Sequence, residues 1–508
     1  MKKLLSLVIG ISLLIGAQSL IAQDDSVEKK LQGFDQRMQK IMADWEVPGC
    51  AIGIVRGGQL AYAKGFGYRD VENKLPVTPN TLFAIGSNTK LFTATAIGFL
   101  VDEGKLEWDK PVKTRVPSIQ FCNDQLNDSV TLRDMLAHRT GLSSPDDIWF
   151  YSTFSRHELF QRLKYCEPEH GFRETFDYNN FMYMAAGEII DLVSGKTWEE
   201  FLKEKIFKPL EMNSTGFTVE DIERASDHAK PYKNNYLDNK ILAIPYNRNM
   251  QGAGPAGSIN SNIRDMANWV ICQMNKGKFK EHQVIPRAII EETMKPAFIS
   301  DWYIADLSKG LSFGLYGMGR VMTTYKGRSL TEHGGLIDGF LSQVTIFPDD
   351  DLGIIILENT QTQPLRNFVQ YEIADRMLGL DKTDWHGRFM AWRKKNVEKE
   401  KKSLEEAKPV RIQNTRPSHE LADYAGEYEN EIYGKITVKL VGEQLWFQFH
   451  IFDFPLNHVH YDQFETPKQE QYGSYRVSFL TSDQGKIDKI QMELDKPDVL
   501  FKRIEKKL

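Results

Sequence analysis

The chain has 508 residues, 41% of them hydrophobic and 26% charged, which excludes both a polytopic membrane protein and a mostly disordered chain. Its formal net charge of −5 leaves no basic field to attract nucleic acid or anionic lipid, so no nucleic-acid partner is expected.

Lys2 and Lys3 precede an apolar run from Leu4 to Ala22, the layout of a secretory signal peptide cut just after Ala22. A short membrane anchor is the alternative, because about 20 apolar residues can span a bilayer. Residues 1–22 are assigned to the signal, so the protein is expected to be exported, periplasmic or secreted, with no stable membrane insertion afterwards. Losing the two lysines would move the net charge from −5 to −7. Cys50, Cys122, Cys166 and Cys272 show no metal-ligand spacing and are expected to be free buried thiols.

Val27 to Met42 is a charged helical stretch. Cys50–Arg56, the pair Gly57-Gly58, and Gln59–Gly67 predict a β-hairpin. A helix is predicted from about Thr89 to Glu103, with Leu91, Phe92, Ala96, Phe99 and Leu100 at helical spacing. From about Asp109 to Asp265 the chain is mixed and mainly helical. Leu341–Phe347 and Leu352–Leu357, split by Pro348-Asp-Asp-Asp351, predict a second hairpin, and a helix follows from about Leu365 to Met377. Strands at both ends with helices between imply one sheet assembled from distant segments, an α+β domain over residues 27–380. Residues 381–412 form a charged helical linker, dense in Lys, Arg and Glu from Trp385 to Glu406. Residues 413–508 carry period-two strands at Lys435–Leu440, Gln444–Phe449, Tyr475–Phe479 and Ile487–Leu494, which predict a small all-β barrel or sandwich.

Three short elements can carry chemistry. In Ser87-Asn-Thr-Lys90, serine and lysine three apart at a helix start share one face. A neutral lysine can then take the serine proton and make the hydroxyl a nucleophile, which requires a pKa lowered from about 10.4 by burial or a nearby cation. The spacing alone is cheap, since Ser26-Val-Glu-Lys29 has it too. In Tyr178-Asn179-Asn180 the phenol can relay a proton and the Asn180 amide can hold a substrate carbonyl. Tyr232-Lys-Asn234 and Tyr428-Glu-Asn430 match the same pattern, but only Tyr178 stands on the loop entering a helix that stops at Gly195. His333-Gly334-Gly335 lies directly ahead of the 341–347 strand. Its glycines would let a substrate approach the backbone, whose N–H groups can stabilise an oxyanion.

Together and in this order, the three elements resemble those of the penicillin-recognising serine hydrolases, on the branch of class C β-lactamases, D-alanyl-D-alanine carboxypeptidases, D-aminopeptidases and related esterases. Thr131–Leu142, Gly254-Pro-Ala-Gly-Ser258, Asp265-Met266 and Gly339-Phe340 extend the resemblance over about residues 35 to 380. It implies an antiparallel sheet flanked by helices plus a mainly helical subdomain. It also implies Ser87 as acylated nucleophile, with Lys90 and Tyr178 sharing acid–base work and Asn180 binding the substrate amide. His333, Gly334 and Gly335 would line the substrate, and the backbone N–H groups of Ser87 and Leu336 would form the oxyanion hole. His333 stands where β-lactamases and carboxypeptidases of the branch usually carry a Lys that helps bind a substrate carboxylate. A histidine supplies less fixed charge, though it can ionise near pH 6.5. The C-terminal region loosely resembles lipocalin-like β-barrel modules, through Tyr424-Ala-Gly-Glu-Tyr428 and its strand pattern.

Two other patterns are set aside. Gly310-Leu-Ser312-Phe-Gly314 fits a nucleophile elbow but is followed by a Gly-rich, strand-like run, not a helix. His458-Val-His460 puts two imidazoles on one strand face without a third metal ligand. The expected function is an exported serine hydrolase acting through an acyl-enzyme on D-amino-acid-containing peptides or small amides and esters. No metal and no organic cofactor is required. A class C β-lactamase and a non-catalytic ligand- or peptidoglycan-binding protein are the alternatives, and the barrel could itself carry a ligand. Assembly into a homo-oligomer is left open.

Overall fold

The computed structural model describes residues 27–150, 152–235, 240–250, 252–300, 310–312, 314–361, 365–406, 411–469, 473–496 and 498–505. The signal segment 1–22 lies outside them. The principal helices are α1 (Phe34–Trp45), α2 (Thr89–Asp102), α3 (Asn180–Ser194), α4 (Ile263–Met274), α5 (Leu365–Leu378) and α6 (Trp385–Glu406). The strands of the first large sheet are β1 (Gly49–Arg56), β2 (Gln59–Asp70), β3 (Leu75–Pro76), β4 (Phe298–Ser300), β5 (Gly314–Tyr316), β6 (Val321–Tyr325), β7 (Arg328–Ile337), β8 (Phe340–Phe347) and β9 (Leu352–Glu358). The second large sheet holds β10 (Gly426–Asn430), β11 (Gly434–Val441), β12 (Gln444–Phe449), β13 (Phe452–Pro455), β14 (Asn457–His460), β15 (Gln463–Glu465), β16 (Arg476–Thr481), β17 (Ile487–Met492) and β18 (Val499–Arg503).

The chain divides into two compact units. Of the described residues, the first draws on those within 27–95, 201–246 and 259–397, and the second on those within 96–200, 247–258 and 398–505. In the first, the strands lie in the order β4-β5-β6-β7-β8-β9-β1-β2-β3, antiparallel throughout. Strands β1, β8 and β9 are almost wholly buried, which is why they read as continuous apolar runs and not as alternation. One side of the core is built on α1 and α5, with Phe34, Met38, Trp45, Phe368 and Val369 packed on Ile52, Ile54, Phe347 and Ile354. On the other side α4 comes so close that a Cβ on Gly53 would lie 2.6 Å from Ile263, and one on Gly353 2.4 Å from Val270. Glycine at those two strand positions is therefore a packing requirement. Phe92 of α2 stacks on Trp269 of α4 with ring centroids 3.9 Å apart.

The hairpin predicted at 50–67 forms, its Gly57-Gly58 turn having φ of 62° and 67°, the signature of a tight two-residue connection. The helix expected over 27–42 is broken: Gly33 adopts φ 74°, and α1 starts only at Phe34. The charged segment is the 22-residue α6, pinned at its start by Trp385. That indole is fully buried and donates to Tyr325 Oη at 3.1 Å, while Tyr325 donates to Asp375 at 2.7 Å.

In the second unit α3 begins on Asn179 as its N-cap, which accepts from the Met182 N–H at 3.1 Å, and ends at Gly195 with φ 71°. The nine C-terminal strands run β13-β12-β11-β10-β18-β17-β16-β15-β14. Its two edge strands are separated in sequence only by Leu456, so the sheet curls into a nearly closed barrel. Ile436, Val438, Leu445, Phe447, Phe449, Phe464, Phe479 and Phe501 are buried, whereas Trp446 is only half-buried. The four cysteines are free thiols, Cys122 partly exposed and the others buried. No helix among the described residues is long and apolar enough to cross a membrane.

Replacing Trp385 by Ala removes a large buried ring and leaves the Tyr325 hydroxyl short of a donor. The expected cost is about 3–5 kcal/mol, read as a lower urea midpoint; Trp385→Phe should lose clearly less.

Candidate active site

Ser87 sits in a single 3-10 turn, Gly86–Asn88, that runs directly into α2. The turn presses against the end of β7. Gly86 has φ 51°, and a Cβ there would lie 2.7 Å from the Leu336 nitrogen. A Cβ on Gly335 would lie 1.9 Å from the Ile85 carbonyl oxygen. Only glycine permits this approach from either side. Ser342, opposite Gly335 on β8, joins the two: its hydroxyl donates to the Ile85 carbonyl at 2.6 Å and accepts from the Asn88 amide at 2.7 Å. Arg366 of α5 donates to the carbonyls of Gly335 and Ser342, the latter at 2.9 Å. The Gly335 carbonyl and the Leu336 N–H belong to one peptide group, so the guanidinium also fixes the plane of that N–H.

Lys90 Nζ donates to Ser87 Oγ at 3.1 Å. The lysine is fully buried, whereas the serine is half-exposed. A reachable hydroxyl is thus bonded to an amine hidden behind it, which is the geometry of a nucleophile with an adjacent base.

His333 on β7 is buried, and its Nδ1 lies 2.6 Å from the Gly334 carbonyl, which can only accept. Nδ1 therefore carries the proton, and Nε2 accepts from the Tyr316 hydroxyl at 3.0 Å. Burial first, and the Lys90 charge second, push its pKa down to about 3. The expectation that this histidine ionises near pH 6.5 is corrected: the imidazole is neutral and offers no fixed charge to a substrate carboxylate.

In the second unit, the stretch Thr131–Leu142 holds the Tyr178 segment. Thr131 and Asp134 form a capping box, and buried Asp134 accepts from Arg139 at 2.6 Å and Arg173 at 2.8 Å. Burial raises that carboxyl, but the bonds from Arg173 and Thr131 and the Arg139 charge outweigh it and hold it below the ordinary range. His138, at φ 58°, accepts the Asn179 N–H on Nδ1 at 2.9 Å, receives the Asp177 N–H on its carbonyl at 2.8 Å, and packs at a tilt of 43° against the Tyr178 ring with centroids 4.3 Å apart. The Asn179 amide donates to Leu142 and Ser143 carbonyls at 3.1 and 3.0 Å. Asn180 donates its amide to the Asp146 carboxylate at 3.2 and 3.3 Å. The sequence places Asn180 on a loop; it is the first residue of α3, because Asn179 takes the cap.

The first unit thus brings together Ser87, Lys90, His333, Gly334, Gly335 and Leu336, and the second holds Tyr178 beside Asn180. Asn88, Ser342, Tyr316, Arg366, His138 and Asp146 were not singled out from the sequence. Asn88 and His138 lie inside quoted motifs, while Ser342 and Arg366 sit in a strand and a helix with no local signal. Ser312 is half of a hydroxyl pair with Thr324 at 2.6 Å, and the segment continues into β5, not a helix. Among the described residues no group of His, Cys, Asp or Glu could hold a metal ion.

The family described as Beta-lactamase matches residues 34–376, and a domain of unknown function, DUF3471, matches residues 410–506. A curated relative, "Unguisins hydrolase ungD'" of Aspergillus campestris, is 26% identical over 442 residues, covering 82% of this chain and 79% of that protein. "Protein flp" of Staphylococcus aureus is 25% identical over 67% of this chain and 65% of its own length. The fold is shared with the octameric penicillin-binding protein homologue of Pyrococcus abyssi, with TM-score 0.60, 24% identity, and 93% and 99% of the two chains covered. It is also shared with the D-amino acid amidase of Ochrobactrum anthropi, with TM-score 0.56, 20% identity, and 70% and 98% covered.

An unfolded histidine takes up a proton near about 6.5, the folded His333 only near about 3. Between those values the unfolded state binds more protons, so stability falls as the pH is lowered through that window. His333→Gln is expected to flatten the acid limb of the melting temperature between about pH 6.5 and about pH 4; an unchanged slope would show that the imidazole titrates normally.

Proposed function

Because the chain belongs to the Beta-lactamase family and is a serine hydrolase, we propose that it forms an acyl-enzyme on Ser87 with D-amino-acid-containing peptides or small amides and esters. The observation that carries this reading is the 3.1 Å bond from the buried Lys90 amine to the half-exposed Ser87 hydroxyl. Lys90, in its neutral form, takes the proton as Ser87 Oγ bonds to the substrate carbonyl carbon. The carbonyl oxygen becomes an oxyanion, received by the N–H groups of Ser87 and Leu336. The proton taken by Lys90 is passed on, with Tyr178 sharing the transfer, to the departing amine or alkoxide as its bond to carbon breaks, which leaves Lys90 neutral again. Water then adds to the acyl carbon and gives up a proton to Lys90, which returns it to Ser87 Oγ as the acyl–oxygen bond breaks and the acid leaves. Asn180, oriented by the bond from its amide to Asp146, holds the substrate amide.

The neutral His333 favours substrates that present an amide or ester over those that need a cation for a carboxylate. The D-amino acid amidases that share the fold, and the hydrolase name of the Aspergillus relative, support the same choice. Export is supported by Lys2, Lys3 and the apolar run to Ala22. The octameric Pyrococcus homologue supports assembly into a homo-oligomer.

Intact-mass spectrometry with a fluorophosphonate is expected to give one adduct that vanishes in Ser87→Ala. Lys90→Met should slow acylation by about 10²–10⁴-fold while leaving the fold intact. Benzylpenicillin is expected to leave the mass unchanged; rapid penicillin turnover would replace this reading with a β-lactamase, and no adduct from either reagent would replace it with a binding protein.

A further inference from the structure

The barrel grips the segment that holds Asn180. In the loop between β17 and β18, the Asp495 carboxylate accepts the Asp147 backbone N–H at 2.9 Å and the Tyr433 hydroxyl at 3.3 Å. Asp147 lies in the single turn Asp146–Ile148, whose Asp146 carboxylate accepts the Asn180 amide, the Trp149 indole N–H at 2.9 Å and the Ser144 hydroxyl at 3.2 Å. A few residues on, the Thr153 hydroxyl donates to His450 Nδ1 at 3.3 Å, and the His450 ring packs edge-on against Phe154 at 4.8 Å. His450 Nε2 donates to the Tyr433 carbonyl at 3.0 Å, which leaves Nδ1 as the acceptor for Thr153. Phe154 in turn lies against Gly434, at φ 87°, where a Cβ would stand 2.7 Å from the ring.

Barrel groups therefore hold both ends of the stretch from Asp146 to Phe154, one by Asp495 and the other by His450 and Gly434. The bond to Asp146 fixes the orientation of the Asn180 carboxamide. We propose that the C-terminal barrel is a positioning element for the substrate-binding Asn180, acting through Asp495, the Asp146–Ile148 turn and the Asp146 carboxylate. This rests on the assignment of Asn180 as the contact for the substrate amide. Asp495 is a positioning residue and touches no substrate. Surrounding protein first, and the facing Asp147 and Asp146 charges second, raise its carboxyl pKa, so a neutral carboxamide that still accepts is a suitable conservative replacement.

The test uses the full chain and two esters with one leaving group: N-acetyl-D-alanine p-nitrophenyl ester, which has an amide for Asn180, and p-nitrophenyl acetate, which has none. Asp495→Ala is expected to lower kcat/KM on the order of tenfold for the amide-bearing ester, mostly through KM, with p-nitrophenyl acetate hydrolysis and fluorophosphonate labelling unchanged. Asp495→Asn should restore most of the difference. Asn180→Ala should cost the amide-bearing ester more than p-nitrophenyl acetate, and adding Asp495→Ala to it should cost nothing further. If Asn180→Ala is selective and Asp495→Ala is not, the positioning role is overturned while the assignment of Asn180 stands. If Asn180→Ala does not discriminate between the esters, both fall. Equal losses on both esters in Asp495→Ala and in Asp495→Asn would reduce the contact to ordinary stability and overturn the proposal as well.

Discussion

The close approach of the Ser87 turn to the end of β7 is the constraint on which the rest of the first unit depends. Two backbones meet there with no side chain between them, because Gly86 and Gly335 each leave out a Cβ that would collide with the other strand. The Ser342 hydroxyl fills the remaining gap and satisfies one acceptor and one donor at once, the Ile85 carbonyl and the Asn88 amide. Buried polar groups cost stability unless paired, so this hydroxyl sets the spacing of turn and strand as well as joining them. The backbone N–H groups of Ser87 and Leu336 inherit their separation from that spacing. The Arg366 guanidinium, which ties the Gly335 and Ser342 carbonyls together, stiffens the same peptide from behind.

The field of the site follows from what surrounds the third motif. A histidine replaces the lysine familiar at this position, and in a solvated setting it would titrate close to neutrality. Enclosure by Tyr316, the Gly334 carbonyl and the neighbouring Lys90 prevents that. The side chain therefore works as a hydrogen-bonded wedge with a fixed tautomer, and the fixed cation of this half of the site is left to Arg366.

Much of this was legible in the chain itself, and the gaps have physical causes. Runs such as Cys50–Arg56 and Leu352–Leu357 announced themselves because strands buried on both faces must be apolar throughout, and Gly57-Gly58 marked the turn that folds the first of them into a hairpin. The charged α6 could be placed because nothing but a long solvated helix suits its composition. Gly33 was passed over, since a glycine within a helical pattern gives no sign of whether it will bend into the left-handed region. Ser87, Lys90, Tyr178 and Asn180 could be named because their chemistry is tied to short spacings. Ser342 and Arg366 could not, because their meaning arises only when β8 and α5 are laid beside a turn more than 250 residues earlier in the chain. The protonation of His333 was equally hidden, since it depends on Tyr316 and on enclosure and not on sequence neighbours. Asp146 and Asp495 carry no local signal, because their role arises only where the loops carrying them meet.

The order of strands in the first sheet has a consequence for how the protein comes into being on the ribosome. Strand β1, among the earliest to be synthesised, finds one of its two neighbours in β9, so that Ile54 lies opposite Ile354, about 300 positions later. Until that late segment emerges, β1 and β2 form a hairpin with one naked edge, which is the kind of surface that seeks partners in other chains. Closing so long a loop is also entropically slow. The sheet can therefore be completed only after β9 has been made, and until then the outer edge of β1 stays open to other chains.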